Sequence, residues 1–471
     1  MTTTVSLIER PANEPVRAYR PGSSEREEVV SALASFREPQ PLPSVIDGAA
    51  VESSRTANVV APHDHQRVLG TAHLAEPVHV EAAIKVALAA KNEWASLPFD
   101  ERASVFLRAA ELLATRHRAR INAATMLGQS KTVQQAEIDS AAELIDFLRF
   151  NAWYARRLIA EQPLSPTGLW NRLDYRPLDG FVFAITPFNF TAIAGNLPSA
   201  PALMGNVVVW KPSVTQALAA QVTMDVLMEA GLPRGVINLV HGEGADVGDI
   251  VLKHPDLGGV HFTGSTGTFQ HIWRTVGENI AGYRQYPRLV GETGGKDFVI
   301  AHPSADFRAL TVALTRGAFE YQGQKCSAAS RAYIPKSLWP RLREAVADEV
   351  KSLTAGNVED FSHFMGAVID GKSFSKIGAY LDRAKSSSAT ELVFGGGRDD
   401  SKGFFIEPTL LRVDDPNYET MREELFGPVL TLYVYDDAKW DETLALVDQT
   451  SAYGLTGAVF ARDRHVIAKA S

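Results

Sequence analysis

The chain has 471 residues, 45% of them hydrophobic and 22% charged, with a formal net charge of -8. Such a composition suits a water-soluble protein of two or three domains, and the lack of any run of about 18 apolar residues excludes a membrane-spanning helix. The acidic balance argues against a nucleic-acid-binding surface and for a small-molecule partner.

A single cysteine excludes an internal disulfide framework and any cysteine-based metal cage, and it suits a reducing compartment. Residues 1–10 carry neither the apolar core of a secretory signal nor the Arg-rich pattern of a transit peptide. The expected location is the cytoplasm, with the mitochondrial matrix as the alternative. Residues 11–28, rich in Pro, Gly, Ser and charge, read as an arm draped over the surface. His63-Asp64-His65 follows Pro62 with no third ligand in view, so it reads as a solvated turn and no metal site is expected.

Apolar residues at three- and four-residue spacing predict long amphipathic helices over 77–97, 98–116 and 136–159. In the last, Ile138, Ala142 and Ile145 form the apolar face, with Asp139 and Asp146 off it. From Phe181 short apolar runs alternate with helical stretches, which predicts parallel strands joined by crossover helices. Strands are expected at 181–185, 206–210, 236–240 and 259–262, with helices at 191–203, 214–230 and 245–253. The fold class is therefore α/β, a doubly wound sheet. A second βα series is expected from Arg288 onward, with strands at 298–300, 331–334 and 428–435.

Several short segments carry chemistry. Cys326 lies in Gly323-Gln324-Lys325-Cys326-Ser327-Ala328, a polar setting where a neighbouring ammonium lowers the thiol pKa; the bland alternative is an inert, packed cysteine. Asn189, in Thr186-Pro187-Phe188-Asn189-Phe190 at a strand's carboxyl end, either donates its amide to an oxyanion or caps the next helix. Glu292, before Thr293-Gly294-Gly295-Lys296, is either a general base or a surface carboxylate beside a glycine turn. Lys211-Pro212-Ser213 closes one strand and Gly264-Ser265-Thr266-Gly267-Thr268 closes another, ahead of a helix over 269–280 where phosphate oxygens can meet backbone N–H groups. The spacing is not the usual dinucleotide fingerprint, and an ordinary connection stays open. Gly395-Gly396-Gly397 reads as a surface turn.

The order of these segments, ending with Glu424-Leu425-Phe426-Gly427-Pro428-Val429, resembles the aldehyde dehydrogenase superfamily from the first long helices to the end of the chain. Narrower features resemble its Δ1-pyrroline-5-carboxylate dehydrogenase branch: Asn189 through Leu197, the helix from Ala136 through Phe147, Tyr286 through Glu292, and Gly323 through Ala328. The resemblance implies oxidation of glutamate γ-semialdehyde to glutamate in proline breakdown, with Cys326 as nucleophile, Asn189 holding the oxyanion and Glu292 activating water. It implies NAD as cofactor, with NADP left open, and assigns cofactor contacts to Thr186, Lys211, Gly264, Ser265, Thr266, Gly267, Thr268, Glu424 and Phe426. Glu143, Phe190, Lys325 and Ser327 match positions lining the aldehyde pocket, Ser327 toward the substrate carboxylate.

By the same resemblance, residues 1–155 and 179–293 form the NAD(P)-binding domain, 156–178 an oligomerisation arm with strand-like residues 170–175, and 294–471 the catalytic domain. A homo-oligomer is expected, with proline dehydrogenase as an associating partner and no nucleic acid or membrane. The chain ends at Ser471, before a substrate-carboxylate loop and a subunit-joining strand found in the family, so a C-terminally truncated form is expected. Three other readings stay open: a dehydrogenase of another semialdehyde such as succinate semialdehyde, an inactive binding protein, and a DNA-binding regulator.

Overall fold

The computed structural model describes residues 9–471; residues 1–8, most of the stretch read above for a targeting signal, lie outside them. The chain forms two compact units. The first runs up to Val60 and takes in Val68–Gly128 and Val133–Glu292; the second comprises Ala61–Arg67, Gln129–Thr132 and Thr293–Ser471. Among the described residues no helix is long and apolar enough to cross a membrane.

The first unit is built on a seven-stranded sheet. Its spatial order is Arg288–Glu292, Leu257–Thr263, Phe181–Thr186, Val208–Pro212, Ile237–Leu239, Ser44–Ile46, Ala49–Val51. The first five are parallel, and Ser44–Ile46 joins antiparallel. Phe181 through Ala184 are buried because crossover helices cover both faces, which is why these strands read as apolar runs rather than as alternation. The helices Thr191–Leu203, Ala217–Glu229 and Gly244–Val251 supply the crossovers where expected. Parallel strands so connected bring their carboxyl ends to one edge, where ligands of this architecture bind.

Three expectations about elements are corrected. Arg288–Glu292 belongs to this first sheet, pairing Glu292 with Thr263, because the helix Thr266–Glu278 returns the chain to the same edge. That helix starts three residues earlier than expected, since Ser265 caps it by accepting from the Thr268 amide. Strands between residues 40 and 73 were not anticipated: Gln40–Leu42 and Ser44–Ile46 have three residues each, too few to show a period of two, and the longer Thr56–Ala61 and Asp64–His73 mix buried and part-exposed residues without strict alternation.

The third long helix also differs. Residues Glu137–Ala142 form a π-helical turn that leads into the α-helix Glu143–Ala160. The wider turn shifts the apolar stripe by a residue. Ile138 is consequently 38% exposed and Asp139 only 3%, the reverse of the expected face. Past Ala160 the expected strand-like arm forms no strand: residues 161–178 are held by side chains, with the Leu173 amide donating to Gln162 Oε1 (2.8 Å) and the Asn171 amide to Ser165 Oγ (3.0 Å). Pro163 and Pro166 cannot donate to a ladder. Leu164 and Trp170 stand 92% and 80% exposed.

The second unit holds a six-stranded sheet in the order Thr390–Phe394, Thr409–Val413, Val429–Tyr435, Ala329–Pro335, Asp297–Ala301, Gly457–Phe460. Only the first pair is antiparallel. Val299, Leu314, Phe319, Ile334 and Leu432 form its core. His63 belongs to this unit and is buried, not solvated: its Nδ1 lies 3.2 Å from Ser130 Oγ, and desolvation pushes its pKa down to about 4. The turn around it is real, but the imidazole is neutral core.

The strand Phe181–Thr186 starts from Gly180, held at φ +90, where an added Cβ would lie 1.9 Å from the Asp256 carbonyl oxygen. Left-handed backbone costs an L-residue about 1–2 kcal/mol before any clash is counted. Gly180→Ala should therefore lower the first thermal unfolding transition by roughly 6–12 °C, for a loss of about 3 kcal/mol. Calorimetry checks it, and a fall of under about 2 °C would mean that this backbone approach relaxes freely.

Candidate active site

In the first unit the expected residues gather at the carboxyl edge of the sheet. Thr186 ends the central strand, and its hydroxyl accepts from Trp210 Nε1 at 2.9 Å. The chain then turns through Pro187 and Phe188 to Asn189, which is buried, and enters the helix Thr191–Leu203. Phe190, not Asn189, occupies the N-cap position, and no side chain caps that helix. The capping role considered for Asn189 is thus not where the helix begins, and the oxyanion-donor reading keeps its place. Glu292 ends the edge strand with an exposed side chain, while its carbonyl accepts the Gly264 amide at 3.2 Å. Glu143 starts the helix behind the π turn, and its neighbour Leu144 packs where Gly195 lacks a side chain.

The same edge has the features of a nucleotide cradle. Lys211 is buried and burial pulls its pKa down to about 8, with Glu243 acting the other way. Its ammonium donates to the Pro212 carbonyl at 3.2 Å, a single recorded acceptor for three protons. Gly264 and Ser265 precede the helix Thr266–Glu278, so Thr266, Gly267 and Thr268 form its first turn. Amides of a first turn have no intrahelical acceptor and favour an anion; that of Thr268 donates to Ser265 Oγ, which leaves those of Thr266 and Gly267. Thr266 Oγ1 is buried without a hydrogen-bond partner. An orphaned hydroxyl, a desolvated ammonium and a helix N-terminus suit a pyrophosphate and ribose. Buried beside Lys211 is His241, both ring nitrogens unpartnered, whose pKa burial drives to about 3; sequence reading missed it because it falls among ordinary strand-end residues.

In the second unit Lys325, Cys326 and Ser327 come from one segment and Glu424 and Phe426 from another, and the two meet where Gly323 passes Gly427. Cys326 sits half-buried after three consecutive left-handed residues, Tyr321 (φ 50), Gln322 (φ 54) and Gly323 (φ 65). Two of these carry side chains, so the backbone is strained and must be held. Gln322 holds it: Nε2 donates to the carbonyls of Ser130 (3.1 Å) and Ala367 (2.7 Å), and Oε1 accepts the Gly366 amide (2.9 Å). Gln324 Oε1 accepts from Ile369 N at 2.9 Å. Lys325 reaches Glu320 at 3.5 Å, so its charge is partly compensated and it is not a lone ammonium beside the thiol.

Two glycines allow the segments to meet. A Cβ on Gly295 would lie 2.1 Å from the Cys326 carbonyl oxygen, and one on Gly323 would lie 2.2 Å from that of Gly427. The Gly295 amide donates to Glu424 Oε1 at 2.9 Å. Burial raises the Glu424 pKa, while that amide, Lys376 and Lys296 pull it back. Phe426 is itself left-handed at φ 60. Beneath them Lys296 is fully buried, its Nζ without a hydrogen-bond partner, and burial first and Arg331 second lower its pKa to about 7. Neither Gln322 nor Lys296 was foreseen; a glutamine before a glycine carries no signal of a strained loop. Among the described residues no group of three or more His, Cys, Asp or Glu is placed to hold a metal.

Comparison with known proteins identifies the family. The family model described as "Aldehyde dehydrogenase family" matches residues 50–471. The mitochondrial Δ1-pyrroline-5-carboxylate dehydrogenase of Dictyostelium discoideum is 49% identical over 464 residues, covering 98% of this chain and 83% of its own. The crystal structure of the Mycobacterium tuberculosis Δ-pyrroline-5-carboxylate dehydrogenase bound with NAD superposes with a TM-score of 0.96 at 53% identity, covering 99% of this chain and 86% of that one. A Thermus 1-pyrroline-5-carboxylate dehydrogenase with bound NAD gives 0.91 at 30% identity, over 98% and 89%.

The glycine contacts generate a test. Gly295→Ala pushes a methyl group into the Cys326 carbonyl, and a displacement near 1 Å at a nucleophile costs about a hundredfold in rate. The variant should stay folded by circular dichroism yet lose about that factor in kcat; activity within about threefold of the parent would show that the loop is not set by this contact.

Proposed function

The chain belongs to the aldehyde dehydrogenase family, and from that premise we propose that it oxidises L-glutamate γ-semialdehyde, the open form of Δ1-pyrroline-5-carboxylate, to L-glutamate with NAD as the oxidant, in proline degradation. The observation that carries the reading is the sole thiol of the chain, Cys326, presented by a strained loop that Gln322 and Gly295 hold in place.

The Cys326 thiolate attacks the aldehyde carbon and forms a thiohemiacetal, a C–S bond replacing the carbonyl π bond. The oxyanion would take hydrogen bonds from the Asn189 amide and the Cys326 N–H. NAD, when bound, supplies the acceptor for the hydride that leaves this carbon. The C=O bond re-forms as a thioester on Cys326. Glu292 takes a proton from water, the hydroxide adds to the thioester, and the thiolate departs as glutamate is released. An exposed carboxylate suits this role, since it must exchange its proton with solvent between turnovers.

Lys211 and Thr186 would hold the adenosine side of the cofactor, Gly264 through Thr268 its pyrophosphate, and Glu424 and Phe426 the nicotinamide end. NAD is the cofactor proposed; Val214 and Thr215 after Lys211 bring no carboxylate that would repel a 2′-phosphate, so no exclusion of NADP is built in there. The substrate carries an α-ammonium, a carboxylate and two methylenes. The Glu143 carboxylate suits the first, the Ser327 hydroxyl and Lys325 the second, and Phe190 the third.

The first unit is accordingly the proposed cofactor-binding part and the second the proposed catalytic part. Residues 156–178 are proposed as an oligomerisation arm, because Leu158, Leu169, Trp170 and Leu173 all stand exposed within it. A proline dehydrogenase, whose product is the semialdehyde, is the proposed associate. A reducing compartment, cytoplasm or mitochondrial matrix, suits a single reactive thiol.

Steady-state assays with NAD and NADP against glutamate γ-semialdehyde, succinate semialdehyde and propanal test the assignment. The first substrate with NAD should give a kcat/KM at least about tenfold above the others, and parity with succinate semialdehyde would overturn it. Cys326→Ala should lose at least about a thousandfold, roughly 4 kcal/mol, against the about hundredfold that a misplaced contact costs. Glu292→Gln should give a burst of NADH and then a slow phase, since the base serves only thioester hydrolysis; loss of the burst would assign Glu292 elsewhere.

A further inference from the structure

We infer that the N-terminal arm, residues 13–19, is a positioning element for Glu143, the side chain proposed to meet the substrate's ammonium, acting through a buried ionic clamp. The inference rests on the proposal that Glu143 lines the aldehyde pocket. Glu143 lies at the junction of the π turn Glu137–Ala142 and the α-helix Glu143–Ala160. The arm grips the chain on both sides of that junction.

On the upstream side the clamp closes on Glu137, which is fully buried. Its Oε1 accepts the Arg17 amide at 2.8 Å and Arg118 Nη2; its Oε2 accepts the Tyr19 hydroxyl at 2.6 Å, Asn122 Nδ2 at 2.8 Å and Arg118 Nε at 3.3 Å. Burial alone would raise this carboxyl, but Arg118, Tyr19 and the Arg17 amide hold it below its ordinary value, so it stays ionised. Ser140, within the same turn, donates to Asn122 Oδ1 at 3.0 Å. On the downstream side Asn13 Nδ2 and the Glu14 amide each donate to Asp146 at 2.7 Å, and Glu14 accepts from Arg149 at 2.6 Å while also pairing with Arg118.

A π turn is less favourable than the α-helix it interrupts and persists where surrounding contacts impose it. Here those contacts come from the arm and from the Arg118–Asn122 turn. Were the turn to relax to α geometry, the residues after it would rotate by about one position, roughly 100° around the axis. Glu143 would then leave its present direction, although Leu144 still has the Gly195 gap to fill. The arm thereby sets recognition of the substrate's charged end and leaves the thiol chemistry, which sits on other segments, unaltered.

Three substitutions in the full chain test this: Glu137→Gln, which keeps shape and removes charge; Tyr19→Phe, which keeps the ring and removes one hydrogen bond; and Glu143→Ala as the reference. Glu137→Gln should raise KM for glutamate γ-semialdehyde by about tenfold and Tyr19→Phe by about threefold, with KM for NAD and kcat for propanal within about twofold of the parent. A purely structural role would lower activity on every substrate together and leave each KM in place, and that result overturns the inference. If Glu137→Gln does not fold, Tyr19→Phe decides alone. If Glu143→Ala raises the semialdehyde KM while the two arm variants do not, the positioning role fails and the pocket reading stands. If Glu143→Ala leaves that KM unchanged, the pocket reading of Glu143 fails and the inference with it.

Discussion

Backbone contact closer than any side chain would permit is the constraint on which the second unit depends. At Gly295 and Gly323 the main chain passes so near the carbonyls of Cys326 and Gly427 that a methyl group has no room. The contact brings the thiol-bearing loop, the Glu292-side turn residues Gly294 and Gly295, and the Glu424–Gly427 segment into one layer. Main-chain contact leaves few soft torsions to adjust, whereas a side chain bridging the same gap would bring its own rotamers. The strain of Tyr321 and Gln322 in left-handed backbone is the cost, and the three hydrogen bonds of the Gln322 amide offset it.

Charge is buried in each unit, with different consequences. In the first, Glu137 and Arg118 are both withdrawn from water but saturated with partners, so their charges are kept and the geometry around them is rigid. In the second, Lys296 is buried with no acceptor on its Nζ, and its pKa near 7 means that the charge there is not held firmly. Saturated pairs make fixed struts; an unsaturated lysine responds to whatever happens at Glu424 above it.

Most of the scaffold was legible in the sequence because its causes are local. A buried parallel strand must be apolar on both faces, and Phe181–Thr186, Val208–Pro212 and Val429–Tyr435 announce themselves as such runs. Cys326, Glu292 and Asn189 stood out through motif order. What was hidden has distant partners: the π turn in which Ile138 is exposed is hydrogen-bonded at Glu137 from Tyr19 and Arg17, more than a hundred residues upstream. The left-handed run before Cys326 is held by Ser130 and Ala367, neither near it in sequence, and only Gly323 hinted at it. The segment 170–175 looked like a strand because Trp, Leu and Tyr favour one, but a strand needs a neighbour to bond to, and among the described residues none pairs with it.

The solitary sulfur has a further consequence for how the molecule ages. Oxidation of Cys326 to a sulfenic acid would find no second thiol in the chain to condense with, so no internal disulfide can shelter that intermediate. Rescue must come from a small thiol arriving by diffusion, and the half-buried loop that organises the nucleophile also sets how readily such a molecule reaches it. Failing that, further oxidation is irreversible, and each oxidant hit removes a whole active site rather than part of one.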